Sequence, residues 1–600
     1  MDMIKAKLRK IKSAYTIGVH KRPLVFTILL VFAINLVILI ISAIIAHSID
    51  DNYTSVINAF ATGSIKWMLT PNSILAIENT STMFLAGTVV VLEMVLFSGV
   101  VIAMTTNALK DYFAKKSGAE GNLFLEDHII IFNWNSKVAQ IIKDLMYSGK
   151  PSTVLIYSSK NKAYVTEEIN NVLKENKEEN VSKVNVIVKN GNPINKTGLK
   201  EISIENAKSI IIMSREDIDS VEEQEFSNAD LFNIKALICI GTMPLKENCS
   251  IIIEVSEVET LETVKEMSLN IDCLTDNHII PIAFNRRLGQ FISQFILNAG
   301  LEKVYSEVFS FQGSEFYPVK DMELEEGLAK LNKSIPITKI SDKLFVLAES
   351  IEDSLSVRNE QLSSPKKIKL IDKIDNEKYS IIIVGSNHKK RYIIESLENY
   401  KTTINKNLMI KAFETIDSAI IEYIENSHER CVVMILSDEN YDLRGLDSNV
   451  YAAVIKLQKI IKKIPSLKII VELLDPINHD IIADFNVENT IVSNRLISLL
   501  ITQLATNPQK YDFLEKLIEI KVDDNEVFDI KIGKVADMID KSNLDFNSNA
   551  ELVSSYYYSS GAKRILIGTN INNEIKYFSN NLDSNNIKLN LEDELIYIQY

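Results

Sequence analysis

Two long apolar runs stand near the start of the chain, and the rest alternates in short pieces. Leu24–Ala46 is interrupted only by Thr27, Asn35 and Ser42. At about 1.5 Å per residue it covers roughly 34 Å, enough for a helix to cross the hydrocarbon of a bilayer. The second run, Met83–Met104, carries one carboxylate, Glu93. Lys5, Lys7, Arg9, Lys10, Lys12, Lys21 and Arg22 precede the first run, and Lys110, Lys115 and Lys116 follow the second. The excess of positive charge places both flanks in the cytoplasm. A signal peptide fits less well, because the apolar core is too long and His47-Ser-Ile-Asp-Asp51 offers no small-residue cleavage site. The pattern predicts a two-pass cell-membrane protein: a basic cytosolic arm at 1–23, spans at 24–46 and 83–107, and an outer segment at 47–82.

That outer segment is not plainly hydrophilic. Val56–Leu69 is mildly apolar, contains Trp67, and ends at Thr70-Pro71-Asn72-Ser73. Helix, re-entrant loop and helix form the minimal plan of a tetrameric cation channel, since irregular backbone at membrane depth is tolerated only where it lines a water-filled cavity. Thr70, Asn72 and Ser73 are then candidate filter residues, with an ordinary extracellular loop as the alternative. No Thr-Val-Gly-Tyr-Gly is present, so the carbonyl cage of a potassium filter is not indicated, and K+, Na+ and Ca2+ all stay open as permeant ions. A mid-span carboxylate costs a few kcal/mol by insertion scales, so Glu93 is expected to face a wet cavity or a partner. Val90, Glu93, Phe97, Val101 and Met104 share a face at helical spacing. If that face lines a pore, Glu93 supplies a ring of negative charge, and Phe97 with Met104 forms the gate.

After a neck at 108–126 the pattern changes to short apolar strands alternating with helical runs, and it does so twice. His128-Ile-Ile-Ile-Phe-Asn-Trp-Asn135 returns as Ser380-Ile-Ile-Ile-Val-Gly-Ser-Asn387. Ala207-Lys-Ser-Ile-Ile-Ile-Met-Ser214 returns as Arg430-Cys-Val-Val-Met-Ile-Leu-Ser437, and Ile251-Ile-Ile-Glu-Val255 as Ile469-Ile-Val-Glu-Leu473. Asn285-Arg-Arg-Leu-Gly-Gln-Phe291 returns as Asn494-Arg-Leu-Ile-Ser-Leu-Leu500. Each half predicts a parallel α/β sheet of Rossmann-like βαβ units with a strand-rich tail, Phe309–Val319 and Lys343–Ala348 in the first and Glu594–Gln599 in the second. The halves are placed at 127–348 and 379–600, with 349–378 as a polar linker. A membrane helix that feeds almost directly into the first βα unit is the layout of a pore with a cytosolic sensor.

Charge and chemistry narrow the function. Among 600 residues, 65 basic against 79 acidic leave a net charge of −14, so the soluble part has no polybasic footprint and no nucleic-acid partner is expected. The four cysteines lack CxxC spacing and the seven histidines are scattered, which excludes a zinc pattern. A Rossmann first turn needs glycines to approach a pyrophosphate. Phe132–Lys137 has none, the second repeat keeps only Gly385, and Thr153-Val-Leu-Ile-Tyr-Ser158 ends without an acidic residue for a ribose. NAD is therefore not expected, no cofactor is required, and with no nucleophile–base pair the chain reads as a non-enzyme. One segment suits a regulatory ligand. Ser214–Glu225 follows an apolar strand at the carboxyl edge of the sheet, and Asp217, Asp219, Glu222 and Glu223, with Glu216 beside them, offer oxygen ligands for Ca2+. The alternative is an acidic helix start favoured by the macrodipole.

Taken in order and spacing, His128–Trp134, Gly191-Asn-Pro-Ile194, Ala207–Ile212, Ser341-Asp-Lys-Leu-Phe-Val-Leu-Ala-Glu349 and Ser493-Asn-Arg-Leu-Ile-Ser498 resemble the Castor/Pollux family of ion channels. The resemblance implies two tandem regulator-of-conductance (RCK) domains per subunit, a homotetrameric pore in membrane lipid, an eight-domain cytosolic ring and calcium regulation. Two departures are visible: a single helix precedes the pore loop, and the filter region does not match. The reading that follows is a tetrameric ligand-gated cation channel. Its rival is a non-conducting, membrane-anchored sensor or scaffold.

Overall fold

Helix α1 (Pro23–Ile49) and helix α2 (Thr80–Ser117) form a hairpin in the first of two units, Met1–Glu120 and Gly121–Tyr600. The computed structural model describes residues 23–117, 122–175, 181–215, 228–271, 274, 278–298, 300–358, 364–371, 378–426, 430–438, 447–464, 466–475, 478–485, 487–518, 528–542, 544–571 and 574–600. Between the two helices the chain makes a helical turn (Val56–Asn58), a π-helical stretch (Ala59–Ser64), a second short helix (Ile65–Leu69) and a 3-10 turn (Pro71–Ala76). This segment packs back on the hairpin through Trp67, which is buried with Ala43, Ala46, Ala59 and Ala86, the alanines being small enough to let helices approach closely. Ser42 Oγ donates to Ser64 Oγ at 2.8 Å, tying the connecting segment to α1, and Thr82 Oγ1 donates to Asp50 Oδ2 at 2.9 Å, joining the two helices at their connected end.

By length and composition, one helix among the described residues, Val31–Ile49, is long and apolar enough to cross a membrane; the apolar part of α2, Thr80–Leu96, is shorter. Helix α2 also runs on through much of the expected neck to Ser117. No glycine or proline interrupts the chain after Gly99 until Gly118, so nothing there breaks a helix.

The second unit opens with a six-stranded parallel sheet in the order β3-β2-β1-β4-β5-β6, built from β1 (Ile129–Phe132), β2 (Ser152–Ser158), β3 (Val184–Asn190), β4 (Ser209–Ile212), β5 (Ser250–Val255) and β6 (His278–Ala283). Strand alternation divides β1 cleanly: Ile129 and Ile131 enter one core, Ile130 and Phe132 another. Helices α3 (Ser136–Met146), α4 (Asn228–Ile240), α5 (Val258–Asn270), α6 (Phe284–Leu297) and α7 (Leu301–Phe309) flank it. A small antiparallel sheet follows, β7 (Glu315–Lys320), β8 (Ser334–Ile340) and β9 (Lys343–Ala348), in the order β7-β9-β8.

The plan then repeats. Strands β10 (Tyr379–Val384), β11 (Met409–Phe413), β12 (Arg430–Ile435), β13 (Leu467–Leu473) and β14 (Asn489–Val492) form a parallel sheet ordered β11-β10-β12-β13-β14. Helices α8 (Lys390–Thr403), α9 (Ser448–Ile461) and α10 (Ser493–Thr506) belong to it. The second small lobe holds β15 (Asp529–Lys534), β16 (Asp545–Ser548), helix α11 (Asn549–Ser559), β17 (Arg564–Ile571), β18 (Glu574–Tyr577), β19 (Asn585–Lys588) and β20 (Glu594–Gln599). The expected polar linker is docked in part. Lys366 N and Ile368 N donate to Ser555 Oγ and Ser559 Oγ, and Ile368 is buried. Its apolar side chain covers more of the core than its charged neighbours suggest.

The two halves are locked by a reciprocal exchange. Helix α3, after the first strand of the first half, packs on α10 of the second, and α8 packs on α6 in the matching arrangement. Gly289 sits at the second contact, where a Cβ would lie 2.6 Å from Tyr392 Cβ and 3.2 Å from the Ile393 backbone nitrogen. Its counterpart Ser498 donates to Lys137 O at 3.2 Å. Gly289→Ala should therefore push α6 off α8, costing about 1–3 kcal/mol as overpacking does. A thermal unfolding midpoint equal to that of the unsubstituted protein would contradict this packing.

Candidate functional site

Sheet order reverses between β1 and β4, and the crevice at the carboxyl ends of these strands is where an open α/β fold takes its ligand. Here the protein's own side chains fill it. Asn135, the N-cap of α3, donates through Nδ2 to Ser214 O at 3.0 Å and to Glu254 Oε2 at 3.3 Å. Lys137 Nζ donates to Glu254 Oε1 at 2.6 Å and lies 4.5 Å from the centre of the Phe284 ring. Ser214 N completes the set, donating to Glu254 Oε2 at 2.9 Å. A fully buried glutamate is tolerable only with such a cage of donors.

The second half builds the same cage. Asn387 Nδ2 reaches Ser437 O and Glu472 Oε2, both at 2.9 Å; Lys389 Nζ stands 3.2 Å from Glu472 Oε1; Ser437 N donates to Glu472 Oε2 at 3.3 Å. Ser493 Oγ adds a bond to Glu472 Oε1 at 2.5 Å. Beside each cage a buried aspartate holds the chain after the glutamate strand. Asp230 accepts from Ser256 N, Glu257 N and Thr260 Oγ1, and Asp447 from Leu474 N, Asp475 N and Asn478 Nδ2. Burial pushes the Asp230 pKa up, and these donors oppose the rise. The first two turns of α10 reach both crevices: Ser493 bonds Glu472, Asn494 Nδ2 reaches Ser136 Oγ at 3.4 Å, and Ser498 bonds Lys137 O.

The adjoining hollow of the first half is also taken. Tyr157, at the end of β2, is buried against Gly191 and Gly198, where added Cβ atoms would fall 2.0 Å from its ring and hydroxyl. Glycine at 191 and 198 thus leaves room for the Tyr157 side chain. In the second half Gly385 adopts φ +107°, and a Cβ there would meet Leu436 O at 2.8 Å. That glycine serves strand packing and the turn.

The residues singled out from sequence are scattered. Thr70 closes the short helix, its Oγ1 donating to Lys66 O at 2.7 Å; Asn72 is exposed; Ser73 N donates to Thr70 O at 2.8 Å. Glu93 is 7 % exposed, in line with buried Thr82, Ala86 and Val89, while Val91, Leu92, Met94 and Val95 are exposed. In one chain, then, the carboxylate is turned into its own hairpin, and its Oε1 has no partner among the described residues. Helical spacing places Glu93 on a face but does not tell which neighbour that face meets. The side chains of Phe97 and Met104 lie outside the described residues, as do Asp217, Asp219, Glu222 and Glu223 entirely. Among the described residues no cluster of His, Cys, Asp or Glu suits a metal ion.

No family model matches the chain. It is 20% identical over 242 residues to the ion channel DMI1 of Medicago truncatula, covering 39% of this chain and 25% of that protein. It is 19% identical over 510 residues to the ion channel CASTOR of Lotus japonicus, covering 70% and 57%. This chain is similar to the Castor and Pollux ion channels. It spans about a quarter of the length of DMI1. Among solved structures, the human SLO3 gating ring superposes with a TM-score of 0.53 at 15% identity, covering 79% of this chain and 99% of that one. The fold is accordingly that of paired RCK-type, Rossmann-like domains with parallel sheets. The ion-channel relatives point away from an enzyme.

Proposed function

We propose that the chain is a subunit of a homotetrameric, ligand-gated cation channel of the cell membrane. The observation that carries this is one chain holding both a hairpin with an inturned helical segment and a gating-ring fold. In this reading α1 and α2 both cross the membrane, the termini are cytoplasmic, and four copies of the second unit form a ring. A single hairpin cannot enclose a path, and paired similar domains close best in a symmetric ring. The ring acts on α2 through the covalent chain, and a ligand shifts it only by its differential affinity for open and closed states. Light scattering in detergent should give the mass of a tetramer; a monomeric mass would remove the channel reading and leave the membrane-anchored sensor.

Ca2+ is the proposed regulatory ligand, held by Asp217, Asp219, Glu222 and Glu223. A micromolar site in millimolar Ca2+ adds about 4 kcal/mol to stability by mass action. Neutralising Asp217 and Asp219 together should abolish a calcium-dependent rise in unfolding temperature, and an unchanged rise would return the segment to a solvated helix start. NAD is not proposed as a ligand. The glycine-free turn Phe132–Lys137 and the engagement of Asn135 and Lys137 with Glu254 support this reading, and calorimetry should detect no micromolar dinucleotide binding there.

A further inference from the structure

The chain enters its second unit through a short strap, residues 122–127, laid against the turn 201–206. Leu123 N donates to Glu201 O at 2.8 Å, Leu125 N to Ser203 Oγ at 3.4 Å and Asp127 N to Asn206 O at 3.1 Å, while Ser203 Oγ donates to Leu123 O. Leu123 and Leu125 pack on the core that holds Ile130 and Phe132, and Phe124 between them is exposed. Two residues of this contact take the left-handed conformation, Asp127 at φ 52° and Ser203 at φ 53°, which costs stability in residues other than glycine. The strap is thus held by few bonds and partly against backbone strain. His128 follows it directly. Its side chain is buried, and neither ring nitrogen has a hydrogen-bond partner among the described residues.

A neutral imidazole carries one N–H donor, and a protonated one carries two and a charge. Buried without an acceptor, the neutral ring is tolerable and the charged ring is far more costly. The charged groups around it are Glu205 and Asp127, with Lys208 and Lys246 close to Asp127 and Glu126 close to Lys246. Burial outweighs the two carboxylates and the nearby Ile202 carbonyl, so the ring's pKa lies below its ordinary value. The hydrogen bond from Lys246 holds Asp127 below the usual carboxylate range, and burial pushes the Cys249 thiol up to about 12. The docked strap is therefore fully stable above about pH 6.5 and loses stability as pH falls below it, where a freed ring takes up a proton. We infer that the strap is a proton-released latch, closed on the 201–206 turn while His128 is neutral and opened when its ring is protonated. Opening lets water reach the imidazolium and adds the strap to the tether between α2 and β1. An effect of the latch on conduction rests on the proposed channel; the latch itself is a property of the second unit.

Amide hydrogen exchange of the full chain in detergent, read by mass spectrometry one pH unit above and one below about 6.5, tests it. Each rate is divided by that of a free amide at the same pH, which removes the pH dependence of the exchange chemistry itself. Protection of the peptide covering 122–127 should fall about tenfold from the higher pH to the lower, the factor by which protonation of a freed imidazole favours the open strap. Strand β10 serves as the internal comparison and should keep its protection. His128→Gln and His128→Phe cannot titrate and should abolish the fall, and either one suffices where the other does not fold. Asp127→Asn, at an exposed position, should retain it. Constant protection of 122–127 in the unsubstituted protein, or a fall that persists in the folded His128 variants, would overturn the inference. A fall lost in Asp127→Asn would assign the response to the carboxylate, and an equal fall in β10 would make it general loosening; each would overturn it too.

Discussion

Replacing Glu472 by alanine is expected to lower the unfolding temperature of the second unit by about 10 °C. Lys389 and Glu472 are both essentially buried, and removing one partner of such a pair costs about 3–5 kcal/mol because the other is left as an uncompensated charge. For lobes of this size each kcal/mol shifts the midpoint by roughly 2–4 °C. Asn387, Ser437 N and Ser493 lose their acceptor in the same step. The double substitution Lys389→Met with Glu472→Leu should recover much of the loss, since an apolar pair of similar volume removes the stranded ammonium. Failure of the double variant to recover any stability would show that the neighbouring donors, not the ion pair, set the cost. Glu254→Ala should cost less, because Lys137 is more exposed and keeps its contact with Phe284.

Charge reversal at Glu93 is expected to have the largest functional effect. The side chain is packed inside the hairpin without a partner for Oε1 among the described residues, so Glu93→Lys would place an ammonium where no carboxylate receives it. In a tetramer it would also replace four negative charges with four positive ones in a low-dielectric setting, where their field reaches the central cavity. Single-channel cation conductance should fall at least about tenfold or reverse in selectivity, while Glu93→Gln should keep the tetramer and lower conductance moderately. Normal conductance and reversal potential in both variants would place Glu93 away from the ion path. Loss of the tetramer in Glu93→Gln would instead make it a structural strut.

Much of the architecture of the second unit was legible because it rests on local pattern. The buried runs Ile129–Phe132 and Tyr379–Val384 are strands, and the internal repeat maps onto two parallel sheets. The cages were half visible. Asn135 and Asn387, Ser214 and Ser437, and Glu254 and Glu472 are polar residues at matching places within apolar repeats, a sign that each has a specific partner. Their pairing joins residues 117 apart in sequence for Lys137 and Glu254, and spacing alone does not reveal such a contact. Glu93 shows a different limit: a helical stripe marks a face without telling which neighbour it meets. The docked part of the linker at Ile368 was missed because Lys366, Lys367 and Lys369 around it read as solvated chain.

The central claim is that four copies of this chain conduct cations under control of the ring. Planar-bilayer recording from the purified protein, with and without millimolar Ca2+ on the cytosolic side, tests it most directly. The account predicts discrete cation-selective currents whose open time changes when Ca2+ is added. A bilayer that stays silent in both conditions, with protein shown to be an inserted and intact tetramer, would contradict it.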